Sequence, residues 1–158
     1  MSISSPEVSD AAAMAARKLR LSTLAKAPSE RLCALWAAYR ADPPAHEVLR
    51  PPEVGTVMLR GRAGATGAPF NLGEMTVTRC SVRLTGGAVG HGHVQGRDRD
   101  AALAAALIDA LSEAGEAKAI ETAILAPLRD EAVASKAARA AKAAATRVEF
   151  FTMVRGEN

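Results

Sequence analysis

The spacing of apolar side chains along the chain changes from a helical to a strand period and back again. Near the start, Ser9 or Asp10 is placed to cap a helix through "AAAMAARKLRLSTLAK", and Pro28 opens a second one. In that second helix Leu32, Leu35, Trp36 and Tyr39 fall at i, i+3, i+4 and i+7, which is one apolar stripe. "ADPP" ends it, and "RPPEVG" punctuates again, leaving "HEVL" as a short extended piece between two proline pairs.

After Gly55 the period shortens. "TVMLRGR" and "MTVTRCSVRL" are rich in β-branched residues, and "TGGA" is a compact glycine turn of the kind that closes a hairpin. The pattern predicts a three-stranded antiparallel unit over 56–62, 74–84 and 88–95, with "GRAGATGAPFNLG" between the first two strands. A strong amphipathic helix follows "GRD", capped by Asp98 or Asp100, with Leu103, Leu107 and Leu111 on one stripe and Gly115 as its stop. "IETAILAPL" reads as a short strand ending at Pro127, and "RDEAVASKAARAAKAAATR" as an alanine-rich helix. Its acidic start and its Lys136, Arg139 and Lys142 suit the helix dipole. "VEFFTMV" completes the chain as a last strand. The expected class is α+β: an antiparallel sheet with N-terminal helices and further helices packed on it, in a single domain over 1–158. Residues 1–45 form a helical segment and 46–158 the mixed part.

Composition adjusts this picture in two ways. Hydrophobic residues are 49% of the 158 and charged residues 23%, which excludes a disordered chain, but aromatics are only 3%. Alanine carries much of the apolar fraction, so contacts are many and small, and a partner surface becomes a natural expectation. The net charge of +3 is spread along the chain, so nucleic acid is not indicated, although a small basic RNA-binding module stands as the alternative function. Its only footing is the stripe Lys136, Arg139, Lys142 and Arg147, which has no interleaved aromatics for stacking bases. Cys33 and Cys80 are far apart and read as reduced packing thiols. No stretch approaches the ~20 apolar residues of a membrane helix, and the start lacks the order of a signal peptide, so the expected location is the cytoplasm.

Candidate chemistry is sparse. His91 and His93 in "HGH" point to one face of a strand and could share a metal, but His46 is the only other histidine and no acid sits at a ligand spacing. The expectation is two polar residues on a strand face, with no metal site and no catalytic residue. Gly61, Gly64 and Gly67 could bring backbone N–H groups to an anion, yet "GRAGATG" lacks the Gly-Lys-Ser/Thr of a phosphate loop and the strand-turn-helix setting of a dinucleotide site. Around it lie Arg60, Arg62, Arg79, Arg83, Arg97 and Arg99. Several of them, if convergent, would make an anion site or a charged interface, with Arg60, Arg62 and Arg79 as the candidate anion-binding residues; exposed strand arginines are the commoner arrangement.

The last stretch, "RVEFFTMVRGEN", holds two of the three phenylalanines. Alternation puts Phe150 on one face and Phe151, Met153 and Arg155 on the other, so apolar groups point both ways. Either the strand is covered on both faces within this chain, or one of its faces meets another chain; the candidate interface residues of the stretch are Phe150, Phe151, Met153 and Arg155.

Four linked stretches, "RGRAGATGAPFNLGEMTVTRCSVRL", "GHGHVQGRDRDAALAAALIDAL", "APL" and "RVEFFTMVRGEN", resemble the G subunits of the bacterial carbon-phosphorus lyase system, the PhnG family. The resemblance runs from about Glu47 to Asn158. Its best marks are Gly64, Thr66, Gly67, Phe70, Gly73, Thr78 and Arg79, then Gly96, Arg97 and Asp98, then the terminal stretch. The histidine pair is not among them. The resemblance implies a cytoplasmic subunit that assembles with the H, I and J subunits in phosphonate use. With the H, I and L subunits it supports displacement of adenine from ATP by an alkylphosphonate, giving a ribose 1-phosphonate 5-triphosphate. ATP and magnesium are then substrate of the complex, this chain binds no cofactor, and alone it is expected to be a scaffold without activity.

Overall fold

The computed structural model describes residues 6–146. The elements run α1 (Pro6–Lys26), α2 (Ser29–Tyr39), β1 (His46–Arg62), β2 (Pro69–Leu84), β3 (Val89–Gln95), α3 (Arg99–Leu111), α4 (Ala117–Ile120) and α5 (Ala126–Ala145). The sheet is antiparallel in the order β1-β2-β3, and the class is α+β. The last strand expected over 148–154 lies outside the described residues.

At the centre is α3 rather than the sheet. Ten of its thirteen residues are buried, well beyond the single leucine stripe that periodicity indicates. Its alanines explain why: a helix with so few bulky groups can be approached closely from every side, by the sheet on one side and by α1 and α2 on others. On β2, Cys80, Val82 and Leu84 join Val94 of β3 in that core, and α2 contributes Leu32, flanked by half-buried Leu35, Trp36 and Tyr39 as its stripe predicts. Asp98 caps α3, its Oδ1 accepting from the Ala101 N–H at 2.9 Å.

The closest approach is between β3 and α3. A Cβ built on Gly92 would lie 2.0 Å from the Ala102 carbonyl oxygen, and one on Gly90 would lie 2.0 Å from that of Ala106. The two glycines therefore face the helix, and His91 and His93, alternating with them, face the other way. "GHGH" is a packing device in which each glycine admits a helix backbone.

Besides β2, which starts at Pro69 instead of at 74 and so takes in the second half of the expected loop, three predicted elements need correction. First, β1 is one strand of 17 residues, running through the prolines that seemed to interrupt it. It is an edge strand, so missing N–H groups are tolerated on its outer side. Pro51 and Pro52 also sit at an irregularity, between the pairs Arg50↔Ser81 and Glu53↔Arg79. Second, "IETAILAPL" is helical, spanning the end of α4, a wide turn at Glu121–Leu125 and the start of α5. Ile120, Ile124 and Leu128 are all buried, at a spacing of four, and Pro127 stands in the first turn of α5, where its missing N–H costs nothing. The β-branched residues suggested a strand, and burial against neighbouring helices overrides that propensity. Third, α1 begins at Pro6, ahead of the caps expected at Ser9 or Asp10.

β1 and β2 also outrun β3. The last pair of β2 with β3 is Val77↔Gln95, whereas β1 and β2 continue pairing to Arg62↔Pro69. At Gly96, with φ +91°, the chain leaves the sheet toward the α3 cap; its N–H donates to the Thr76 carbonyl at 3.0 Å, and its own carbonyl accepts from Thr78 Oγ1 at 2.8 Å. What remains beyond it, among the described residues, is a two-stranded arm, 56–62 against 69–76.

Candidate functional site

Two polar groupings and the arm are the features to weigh. The first grouping centres on Asp109, a fully buried carboxylate in the middle of α3. Its Oδ1 accepts from Arg20 Nε at 2.9 Å, and its Oδ2 accepts from Arg17 Nη2 at 2.8 Å and from the His91 backbone N–H at 3.0 Å. Arg17 also donates to the Val89 carbonyl at 3.2 Å, and Arg20 pairs with Glu113. Three of the carboxylate's roughly four acceptor sites are thus taken by donors from α1 and β3. It joins three elements, and its full burial commits it to holding them together. Sequence reasoning missed it; the one signal is an aspartate inside the apolar run "AALIDAL".

The second grouping lies on the sheet face opposite α3. Pairing sets Arg79 between Glu53 and His93, Ser81 between Arg50 and His91, and Arg83 beside Glu47. Arg79 Nη2 meets Glu53 Oε1 at 3.3 Å, Arg83 Nη1 meets Glu47 Oε2 at 3.5 Å, and Ser81 Oγ is 3.0 Å from His91 Nδ1. Arg79 Nε is buried with no hydrogen-bond partner among the described residues. The face carries three arginines against two glutamates, so it suits a charged interface or an anion that displaces a carboxylate.

Of the candidate anion-binding residues, Arg79 is on this face, and Arg60 and Arg62 are on the arm. Glu53, opposite Arg79, is seven residues from Arg60 on β1, roughly 23 Å at the strand rise. The three do not converge. "GRAGATG" forms the tip of the arm. There Gly67 N–H donates to the Ala63 carbonyl at 2.9 Å and Arg62 donates to the Gly67 carbonyl at 3.2 Å, so that part of the loop is engaged with itself.

The histidines do not gather either: His46 Nδ1 is 2.7 Å from the Pro44 carbonyl, far along the chain from His91 and His93, and no group of three metal-ligating side chains occurs among the described residues. Burial pushes the thiols of Cys80 and Cys33 up, with Asp98 and Asp100 adding to the shift at Cys33, so neither is poised as a thiolate. Lys136, Arg139 and Lys142 are exposed along α5. The candidate interface residues Phe150, Phe151, Met153 and Arg155 lie outside the described residues. No helix among the described residues is long and apolar enough to cross a membrane.

Comparison with known proteins gives this arrangement its setting. The sequence pattern of the family described as "Phosphonate metabolism protein PhnG" matches residues 15–156. The chain is 43% identical over 152 residues to the "Alpha-D-ribose 1-methylphosphonate 5-triphosphate synthase subunit PhnG" of Rhizobium meliloti (strain 1021), covering 96% of this chain and 97% of that protein.

Proposed function

This chain belongs to the PhnG family of phosphonate-metabolism proteins, and from that premise we propose that it is a non-catalytic subunit of a ribose 1-methylphosphonate 5-triphosphate synthase. The observation that carries the reading is the match along nearly the whole length of both chains to a protein named as a subunit of that synthase. Such a subunit works by holding other chains in place. Its partners are the H and I subunits, with the L subunit in the first step and the J subunit in the assembled cytoplasmic complex; ATP with magnesium and the alkylphosphonate are substrates of the whole. The side chains fit that division, since the buried carboxylate is spent on the fold and two glutamates offset the three arginines of the sheet face in part. The RNA-binding alternative drew on the charge of one helix, and the family accounts for the chain without it.

Reconstitution tests the proposal. With ATP and methylphosphonate, adenine release by the partner subunits should fall at least about tenfold when this chain is left out, and the chain alone should release none. Full activity of the partners without it would sink the reading.

A narrower role attaches to Arg79, the arginine whose buried Nε has no hydrogen-bond partner among the described residues. If its guanidinium reaches the triphosphate in the assembled synthase, Arg79→Ala should leave assembly intact and raise the KM for ATP roughly tenfold or more, the worth of one charge-assisted hydrogen bond. An unchanged KM in an intact complex would remove Arg79 from the substrate site.

A further inference from the structure

The arm has the wrong surface for a free hairpin. Of the ten large hydrophobic residues exposed among the described ones, seven lie on β1 and β2, and five of those mark the arm and its root: Val54, Met58, Leu59, Phe70 and Leu72. They occupy both faces. Val54 and Met58 alternate onto one face, and Leu59 onto the other. Phe70 and Leu72 flank Gly61, each 3.8 Å from where its Cβ would be, and so share the face of Leu59. Leu72 is 66% exposed and stands unpaired at a register shift that turns it outward. A lone two-stranded ribbon is marginal in water even with a polar surface.

Elsewhere the sheet defends its edges. Pro51 and Pro52 interrupt the outer edge of β1 beside the body, and on β3 the His91 N–H and the Val89 carbonyl are taken up by Asp109 and Arg17. Between Glu53 and Arg62 there is no proline, and β2 from Phe70 to Met75 has no third strand beside it among the described residues. Among the described residues, exposed apolar groups and unguarded edges therefore coincide on one element.

Charge selects the occupant. The arm carries Arg60 and Arg62 against the single acid Glu74, and neither arginine pairs with a carboxylate among the described residues. An isologous pairing of two arms covers one face of each and sets like charges near one another, which disfavours a second copy of this chain. We infer that the arm inserts into a cleft of a different subunit of the synthase, apolar on both walls and lined with carboxylates where it receives Arg60 and Arg62. This rests on the subunit reading above and names the element that does the docking.

The test uses the full chain co-expressed with the other synthase subunits. Leu59→Glu with Leu72→Glu, and separately Arg60→Glu with Arg62→Glu, alter exposed side chains and should leave the melting temperature of the isolated chain close to that of the parent. Each pair should weaken assembly at least about tenfold. A photoreactive phenylalanine analogue at position 72, which keeps the site apolar, should crosslink to another subunit. Assembly of both variants at parental affinity, or crosslinking only to a second copy or within the same chain, overturns the docking role of the arm while leaving the subunit reading in place. Failure of the parent chain to assemble overturns the subunit reading and this inference with it.

Discussion

Gly92→Ala is expected to destabilise the protein by about 3 kcal/mol or more, the upper end for overpacking a core, which for a chain of this size lowers Tm by roughly 6–12 °C. The added methyl would sit 2.0 Å from the Ala102 carbonyl oxygen and 2.9 Å from the Ala106 nitrogen, and real Cβ contacts essentially never fall under 3.0 Å. Both obstacles are helix backbone, so no rotamer change relieves them, and α3 has to retreat from β3. Because α3 is buried on nearly all sides, its movement disturbs its packing against α1 and α2 as well. Gly90→Ala should behave alike, meeting the Ala106 carbonyl at 2.0 Å, and trimming the nearby methyl with Ala110→Gly should not rescue it. Gly86→Ala supplies the control, since nothing lies within 4 Å of its Cβ position, and its effect should stay within about 0.5 kcal/mol. Thermal melts of the four variants decide the matter; a Gly92→Ala protein that melts with the parent would show that β3 and α3 do not meet as described.

The same glycines show what was legible in the sequence. The meander, the turn at "TGGA", the apolar stripe of α2 and the helix after "GRD" all follow local rules of period and capping, and all are present. "GHGH" drew the eye to its histidines, because a histidine pair is a recognisable ligand pattern. The informative residues were the glycines, whose meaning depends on an alanine helix arriving from elsewhere in the chain. Tertiary context also hid the length of β1, where prolines break a central strand but are tolerated at an edge. It hid the helical state of "IETAILAPL", where the spacing of Ile120, Ile124 and Leu128 was the correct signal and β-branching the misleading one. For the candidate site, the arginines could be named from sequence, but whether they converge depends on how far β1 and β2 outrun β3. That length is set by where Gly96 turns the chain away.

Asp109→Ala is expected to cost roughly 3–5 kcal/mol, the penalty for breaking a buried ion pair from one side. Arg20, almost fully buried, would be left facing a cavity with only Glu113, itself partly exposed, as counter-charge. Arg17 is less committed, with 31% of its side chain exposed, so Arg17→Ala should cost less than Arg20→Ala, and both less than Asp109→Ala. Urea titrations should give that order of midpoints, and moderate salt should hardly change the loss, because burial shields the network from screening. The exposed pair Arg31–Glu131 is the contrast: its removal should cost far less than that of the buried network and the loss should fade with salt. A second consequence separates this network from an ordinary core contact. Asp109 holds the His91 N–H and Arg17 the Val89 carbonyl, two outward-pointing groups on the edge strand β3. Without the carboxylate that edge is open to another strand, so Asp109→Ala should self-associate at concentrations where the parent does not, as read by light scattering. Asp109→Asn keeps the volume but sets an amide N–H₂ among three donors, and should fall between parent and alanine variant in both stability and association. A destabilised Asp109→Ala that shows no added self-association would confine Asp109 to the core and leave the β3 edge guarded by something else.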